Sequence, residues 1–164
     1  MAIANGWTIY EHPEFTRQRE KLEGAVAALR TKHPDRWLQS ADAKLLAAIA
    51  RLTLEVIPAD PSAPQFRQGG TLGQARNHWF RAKFGNGRYR LFYQFSASSK
   101  VIIYVWVNDE QSLRTNGSKS DFYAVFKAMF DKGNPPDSWD ELAAAVGAAG
   151  DGTPKVGRNR KRRK

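Results

Sequence analysis

Every position of the run Val101-Ile102-Ile103-Tyr104-Val105-Trp106-Val107 is apolar. A strand without a polar face is covered on each side, as the central strand of a buried sheet is, and few architectures can provide that. Two further strand-like runs precede it, Trp79 to Phe84 and Arg88 to Phe95. Between them Gly85-Asn86-Gly87 is a strong hairpin signal, because Asn-Gly accepts the positive φ values of a type I′ turn. Ser96 to Ser99 makes the next reversal, and Gly6 to Tyr10 reads as a short N-terminal strand. The sheet expected is therefore twisted, mainly antiparallel and of about four strands.

Helical periodicity occupies most of the remainder. His12-Pro13-Glu14 combines a proline at the first helical position with an acid in the first turn, and Phe15, Leu22, Val26 and Leu29 follow as one stripe. Pro34-Asp35 opens a second helix carrying Trp37, Ala41, Leu45, Ala48, Leu52 and Val56, which Pro58, Pro61 and Pro64 end. The two form an antiparallel pair. Pro58 to Asn77, with three prolines and three glycines, reads as a long surface loop. Asn108 to Ser118 is a second loop, Asp121 to Asp131 a helix with Phe122, Val125, Phe126 and Met129 on its apolar side, and Trp139 to Val146 a short terminal helix. The class is α+β: two N-terminal helices on the sheet, with C-terminal helices after it.

A chain of 164 residues, 41% hydrophobic, suits one domain, placed at 1–147, with 148–164 a disordered basic tail. There is no cysteine, so disulfides and cysteine nucleophiles are excluded. The three histidines, His12, His33 and His78, show no metal-site spacing, so no metal and no cofactor is expected. No stretch approaches the roughly 18 apolar residues of a membrane span, and no signal-peptide order opens the chain, so a cytoplasmic protein without a membrane partner is expected.

The net charge of +10 is unevenly placed. Seven of the 26 bases lie in 155–164 without an acid, leaving 19 bases against 16 acids in the body. Within the body, Gln65 to Lys119 holds nine bases against Asp109 and Glu110. That concentration points to nucleic acid. The tail adds sequence-independent, salt-sensitive affinity, or merely solubilises.

Alternation puts Trp79, Arg81 and Lys83 on one face of their strand, and Arg88, Arg90 and Phe92 on one face of the next. If Asn86-Gly87 is a two-residue loop, Lys83 faces Arg90 with Arg81 one step along; a three-residue loop would set Lys83 against Tyr89. Like charges directly opposite repel, so a sheet made only for stability avoids them, whereas a phosphate-binding surface needs them. The plainer alternative is an exposed face of solvated bases. Arg114 and Lys119, the rings of Trp79, Tyr89 and Tyr123, and the acids Asp109 and Glu110 are further elements that could converge there. RNA cleavage by 2′-hydroxyl attack needs an acid, a base and charge stabilisation on the phosphate, and no metal. His78 adjoins the cluster as an RNA-binding candidate or a surface loop residue. Tyr123 is a candidate acid or a helix-packing ring, Asp109 and Glu110 are site acids or plain loop polar groups, and Tyr104 and Trp106 are core.

The order of these motifs resembles the YhaV family of toxins, in the RelE/ParE-like group. Two helices precede Trp79-Phe80-Arg81-Ala82-Lys83-Phe84-Gly85-Asn86-Gly87-Arg88-Tyr89-Arg90-Leu91-Phe92; then come Val107-Asn108-Asp109-Glu110, Leu113-Arg114-Thr115 with Gly117, and Asn134-Pro135-Pro136 before Trp139. The likeness extends from Gly6-Trp7 to about Leu142. It implies a RelE-like endoribonuclease, the toxin of a type II toxin–antitoxin pair, which cleaves messenger RNA in association with ribosomes. It further implies neutralisation by a PrlF-type antitoxin with an AbrB-like fold, and binding of operator DNA by the complex. By the same resemblance Arg81, Lys83, Arg90, Arg114 or Lys119, and Tyr123 are the catalytic candidates; the RNA-binding candidates His78, Trp79, Arg88 and Tyr89 rest instead on their place beside the basic hairpin. The Pro58 to Asn77 loop and the basic tail depart from the RelE pattern. Two other readings explain the same charge: a non-catalytic RNA- or DNA-binding module, and a ParE-like toxin directed at gyrase.

Overall fold

A computed structural model describes residues 2–68, 76–107 and 122–148, without the side chains of 122–126. Strands β1 (Ala2–Ala4), β2 (Trp7–Glu11), β3 (Phe80–Phe84), β4 (Tyr89–Ser96) and β5 (Val101–Val107) form one sheet in the order β1-β2-β5-β4-β3. The apolar run is thus the middle strand. Helices α1 (Pro13–Lys32) and α2 (Ala41–Arg51) lie on one face, and α4 (Phe122–Asp131) and α5 (Trp139–Val146) on the other, separated in sequence from them by the short α3 (Ile57–Ala59).

The sheet has five strands, one more than expected, and is mixed. Asn5 and Gly6, at φ 51° and 82°, turn Ala2–Ala4 back onto β2. After β2 the chain crosses one face as α1 and α2 and re-enters the sheet at its far edge. The meander β3-β4-β5 then walks inward, so β5 arrives parallel to β2.

Two cores result. Ile9, Phe15, Ile49, Ile57, Phe66, Leu91, Tyr93, Ile102 and Tyr104 belong to the α1–α2 side; Trp79, Phe92, Ile103, Val105, Trp106, Phe130 and Leu142 belong to the other. The register slips between Phe92, opposite Trp106, and Tyr93, opposite Tyr104. Val105 is the extra residue of this bulge, which is why Val105 and Trp106, though adjacent, share one core.

The second helix begins later than Pro34-Asp35 would suggest. Residues Trp37–Gln39 form a 3-10 turn, and Ser40 is the N-cap, its Oγ accepting from Ala43 N–H at 3.1 Å. It also ends later. A π-helical segment, Leu52–Val56, carries the path through Pro58 to Ala59. The Ile57 N–H bonds the carbonyl five residues back, at Leu52, so Pro58, which has no N–H, leaves the Thr53 carbonyl unsatisfied. The Tyr104 hydroxyl donates to that carbonyl at 2.6 Å. The first part of the proline-rich segment is likewise packed: Phe66 and Gln68 are buried, and the Tyr93 hydroxyl donates to Pro61 O at 2.6 Å. Burial raises both tyrosines above the ordinary phenol value, so they remain neutral donors.

His12 caps α1, its Nδ1 accepting from Glu14 N–H at 3.1 Å, and burial pushes its pKa below the ordinary 6.5. Folded protein therefore binds fewer protons here than unfolded chain once pH falls below 6.5. This contribution is complete above that value and is lost as pH falls through it toward the folded pKa. Urea unfolding midpoints should decline on acidification from pH 6.5, and His12→Asn, which keeps a capping side chain, should flatten that part of the curve. An unchanged slope in the variant would remove His12 as the cause.

In the β3–β4 hairpin, Asn86 and Gly87 take φ 60° and 81°, and Arg88 N–H bonds Gly85 O at 3.2 Å, which gives the two-residue turn with both central residues at positive φ. Gly85 itself sits at φ +62°, where a Cβ would lie 2.8 Å from the Tyr89 ring. Gly85→Ala should cost at least about 1–2 kcal/mol from the left-handed backbone alone. A urea midpoint equal to that of the unsubstituted chain would contradict this.

Candidate nucleic-acid interface

The hairpin parity sets the site. Phe84 pairs with Tyr89, Lys83 with Arg90, and Arg81 with Phe92. Lys83 and Arg90 are thus directly opposite, with Arg81 two residues along the same face, as the two-residue loop requires. This is the face of Phe92 and Trp106, whose rings stack at 5.9 Å and 25°. Backbone carbonyls accept from both guanidinium groups. Arg81 Nη1 donates to Gln65 O at 3.3 Å, toward the outer edge of β3 where Arg67 bridges to Phe80, and Arg90 Nη1 donates to Gly87 O at 2.9 Å in the turn. Between them Lys83 is exposed, and no carboxylate pairs with it among the described residues.

Four residues expected to bind RNA are distributed differently. Trp79 is wholly buried, packed on Phe130 at 4.9 Å, with Nε1 donating to Asp137 Oδ1 at 2.7 Å. Its side of the sheet is as alternation indicates, but the turn between α4 and α5 covers it. Tyr89 lies on the opposite, α1–α2 side, stacked on Phe84 at 5.4 Å. Arg88 leaves the basic row, because it flanks the turn and is not a strand residue. With Tyr89 it lines a cavity of about 480 Å³ shared with Phe15, Leu22, Leu45 and Ile49. His78 remains on the basic side: its Nε2 donates to Asp137 O at 2.6 Å and lies 3.2 Å from Asp137 Oδ1. Arg114, Lys119, Asp109 and Glu110 lie outside the described residues, as do the Tyr123 side chain and the basic tail.

Sequence reasoning passed over Asp137 and Gln18. Besides Trp79 and His78, Asp137 receives Arg76 Nε at 3.1 Å and, at its carbonyl, Gln94 Nε2 at 3.0 Å. One residue between the C-terminal helices thereby gathers groups from β4 and from the approach to β3. The one signal available was Gln94, a polar residue set between the apolar rings Tyr93 and Phe95 and fully buried. Gln18 on α1 donates to Val107 O at 2.5 Å and accepts Val107 N–H at 2.8 Å, closing the end of β5 as another strand would. Among the described residues no group of three or more His, Asp or Glu stands close enough to hold a metal ion, and no helix is long and apolar enough to cross a membrane.

Three cations across two antiparallel strands of an α+β sheet are the chemistry that a polyanion requires. The comparisons narrow that reading. Residues 9–147 match the YhaV toxin family, described as a toxin with endonuclease activity, of a toxin–antitoxin system, and the chain belongs to it. It is 46% identical over 139 residues to Toxin YhaV of Escherichia coli O6:H1, and 45% identical over 139 residues to Ribonuclease toxin YhaV of Escherichia coli K12. Each alignment covers 84% of this chain and 90% of the relative. No solved structure matches it. The protein is accordingly an endonuclease toxin of a toxin–antitoxin pair.

Proposed function

We propose that this toxin cleaves RNA without a metal ion at the face bearing Arg81, Lys83 and Arg90. The observation that carries the reading is the Lys83–Arg90 pairing with Arg81 beside it, a costly arrangement in a stability-driven sheet and a useful one for a phosphodiester. A relative of 45% identity named as a ribonuclease supports RNA as the substrate. In this reading the fold is RelE-like, Arg114, Lys119 and Tyr123 complete the site from the segment after β5, and the basic tail supplies salt-dependent affinity. The finer biology is proposed with it: messenger RNA on ribosomes as the target, a PrlF-type antitoxin, operator binding by the complex and a cytoplasmic location.

The test is incubation of the purified chain with RNA in EDTA, with and without ribosomes. Cleavage is expected in EDTA. Intact RNA under both conditions, with cleavage restored by added magnesium, would overturn the metal-free mechanism, and intact RNA throughout would overturn RNA as the substrate.

A further inference from the structure

The structure assigns His78 a role beyond phosphate contact: we propose that it is the general base of the cleavage step, oriented by Asp137. The inference rests on the reading of the basic face as a ribonuclease site. His12 is buried and its Nδ1 is used in capping α1, and His33 sits at the other end of α1 beside Arg36. His78 is the histidine on the side of the cations, with its side chain 40% exposed. Both groups facing its Nε2, the carbonyl and Oδ1 of Asp137, are acceptors. The proton of the neutral ring is therefore on Nε2, and the lone pair is on Nδ1, which has no hydrogen-bond partner among the described residues.

The same carboxylate takes the Trp79 indole N–H, so both rings are held on the C-terminal-helix side. His78 and Arg81 are three residues apart, at most about 11 Å between their Cα atoms. A long arginine side chain and a bound phosphodiester can bridge that span. Among the described residues the charged groups around the imidazole are Asp137 and, through Asp137, Arg76, which also pairs with Asp131.

In the step proposed, the 2′-oxygen attacks phosphorus as its proton passes to His78 Nδ1. The P–O2′ bond forms, the P–O5′ bond breaks, and the departing 5′-oxygen takes a proton from water. The products are a 2′,3′-cyclic phosphate and a 5′-hydroxyl, and the imidazolium returns its proton to solvent. Asp137 is a positioning residue: it fixes the tautomer and stabilises the imidazolium.

The experiment measures cleavage of an RNA oligonucleotide in EDTA against pH for the full chain and for His78→Gln, His78→Ala, Asp137→Asn and Arg81→Ala. The wild-type rate should rise with pH, as base catalysis requires, and give the cyclic phosphate. His78→Gln should be about 10²–10⁴-fold slower and lose that rise. It should still retain the 2′-deoxy oligonucleotide about as well as wild type. Asp137→Asn should slow cleavage while leaving retention of the 2′-deoxy oligonucleotide unchanged, because the ring loses the acceptor that orients it. Added imidazole should restore cleavage to His78→Ala, which a merely structural role does not allow, and that rescue decides the matter if the glutamine variant folds poorly. A His78→Gln rate within about threefold of wild type with the rise intact, or no rescue of the alanine variant, would overturn the assignment while wild-type cleavage upheld the ribonuclease reading. Absence of wild-type cleavage would overturn both.

Discussion

Arg81→Ala is expected to slow RNA cleavage by about 10²–10³-fold, the usual consequence of removing one donor aimed at developing phosphate charge. Stability should hardly change. The side chain is partly exposed, and its bond to the Gln65 carbonyl is a long one at 3.3 Å, to a turn held independently by Phe66 in the core. Removing one of three neighbouring cations also relieves repulsion, so a surface loss of about half a kcal/mol is offset at least in part. The discriminating comparison is Arg81→Lys. A lysine keeps the charge but loses the planar fork that grips two phosphate oxygens, so it should recover RNA retention more fully than cleavage rate. Oligonucleotide cleavage, filter retention and urea unfolding on the three proteins measure these separately. Full activity in the alanine variant would remove Arg81 from the site, and loss of activity in step with loss of fold would make it structural.

The hairpin and middle strand were legible because both are local. Asn86-Gly87 sets a turn by its own backbone preferences, the turn sets parity, and parity puts Lys83 opposite Arg90 without reference to the rest of the chain. Alternation told which side of the sheet Trp79 occupies. It carries no information about what lies above that side, and here Asp137 and Phe130, more than fifty positions later, enclose the ring. Arg88 was misplaced for a related reason: alternation was extended one residue into the turn, where it does not apply. The edge strand β1 was missed although Asn5-Gly6 repeats the Asn-Gly signal, since three residues show no period to read. The parallel β2–β5 pairing depends on the order in which α1, α2 and the meander fill the two faces, a property of the whole fold.

The largest stability change expected in this protein comes from Trp79. Its ring is wholly enclosed against Phe130, so Trp79→Ala should cost about 3–5 kcal/mol, a substantial part of a domain's total. Trp79→Phe is the more informative variant. It keeps an aromatic ring in the core but removes the N–H that meets Asp137 Oδ1 at 2.7 Å, and a hydrogen bond to a charged group contributes about 1.5–3 kcal/mol. Loss of that bond also frees one side of the carboxylate that holds His78. The phenylalanine variant should therefore unfold at lower urea, retain RNA normally, and cleave more slowly than its folded fraction accounts for. If Trp79 instead served as a stacking platform for a base, phenylalanine would preserve stability and weaken RNA retention, and urea midpoints measured beside retention would show it. The same residue that closes the core on this side thus couples the stability of the C-terminal helices to the orientation of the imidazole.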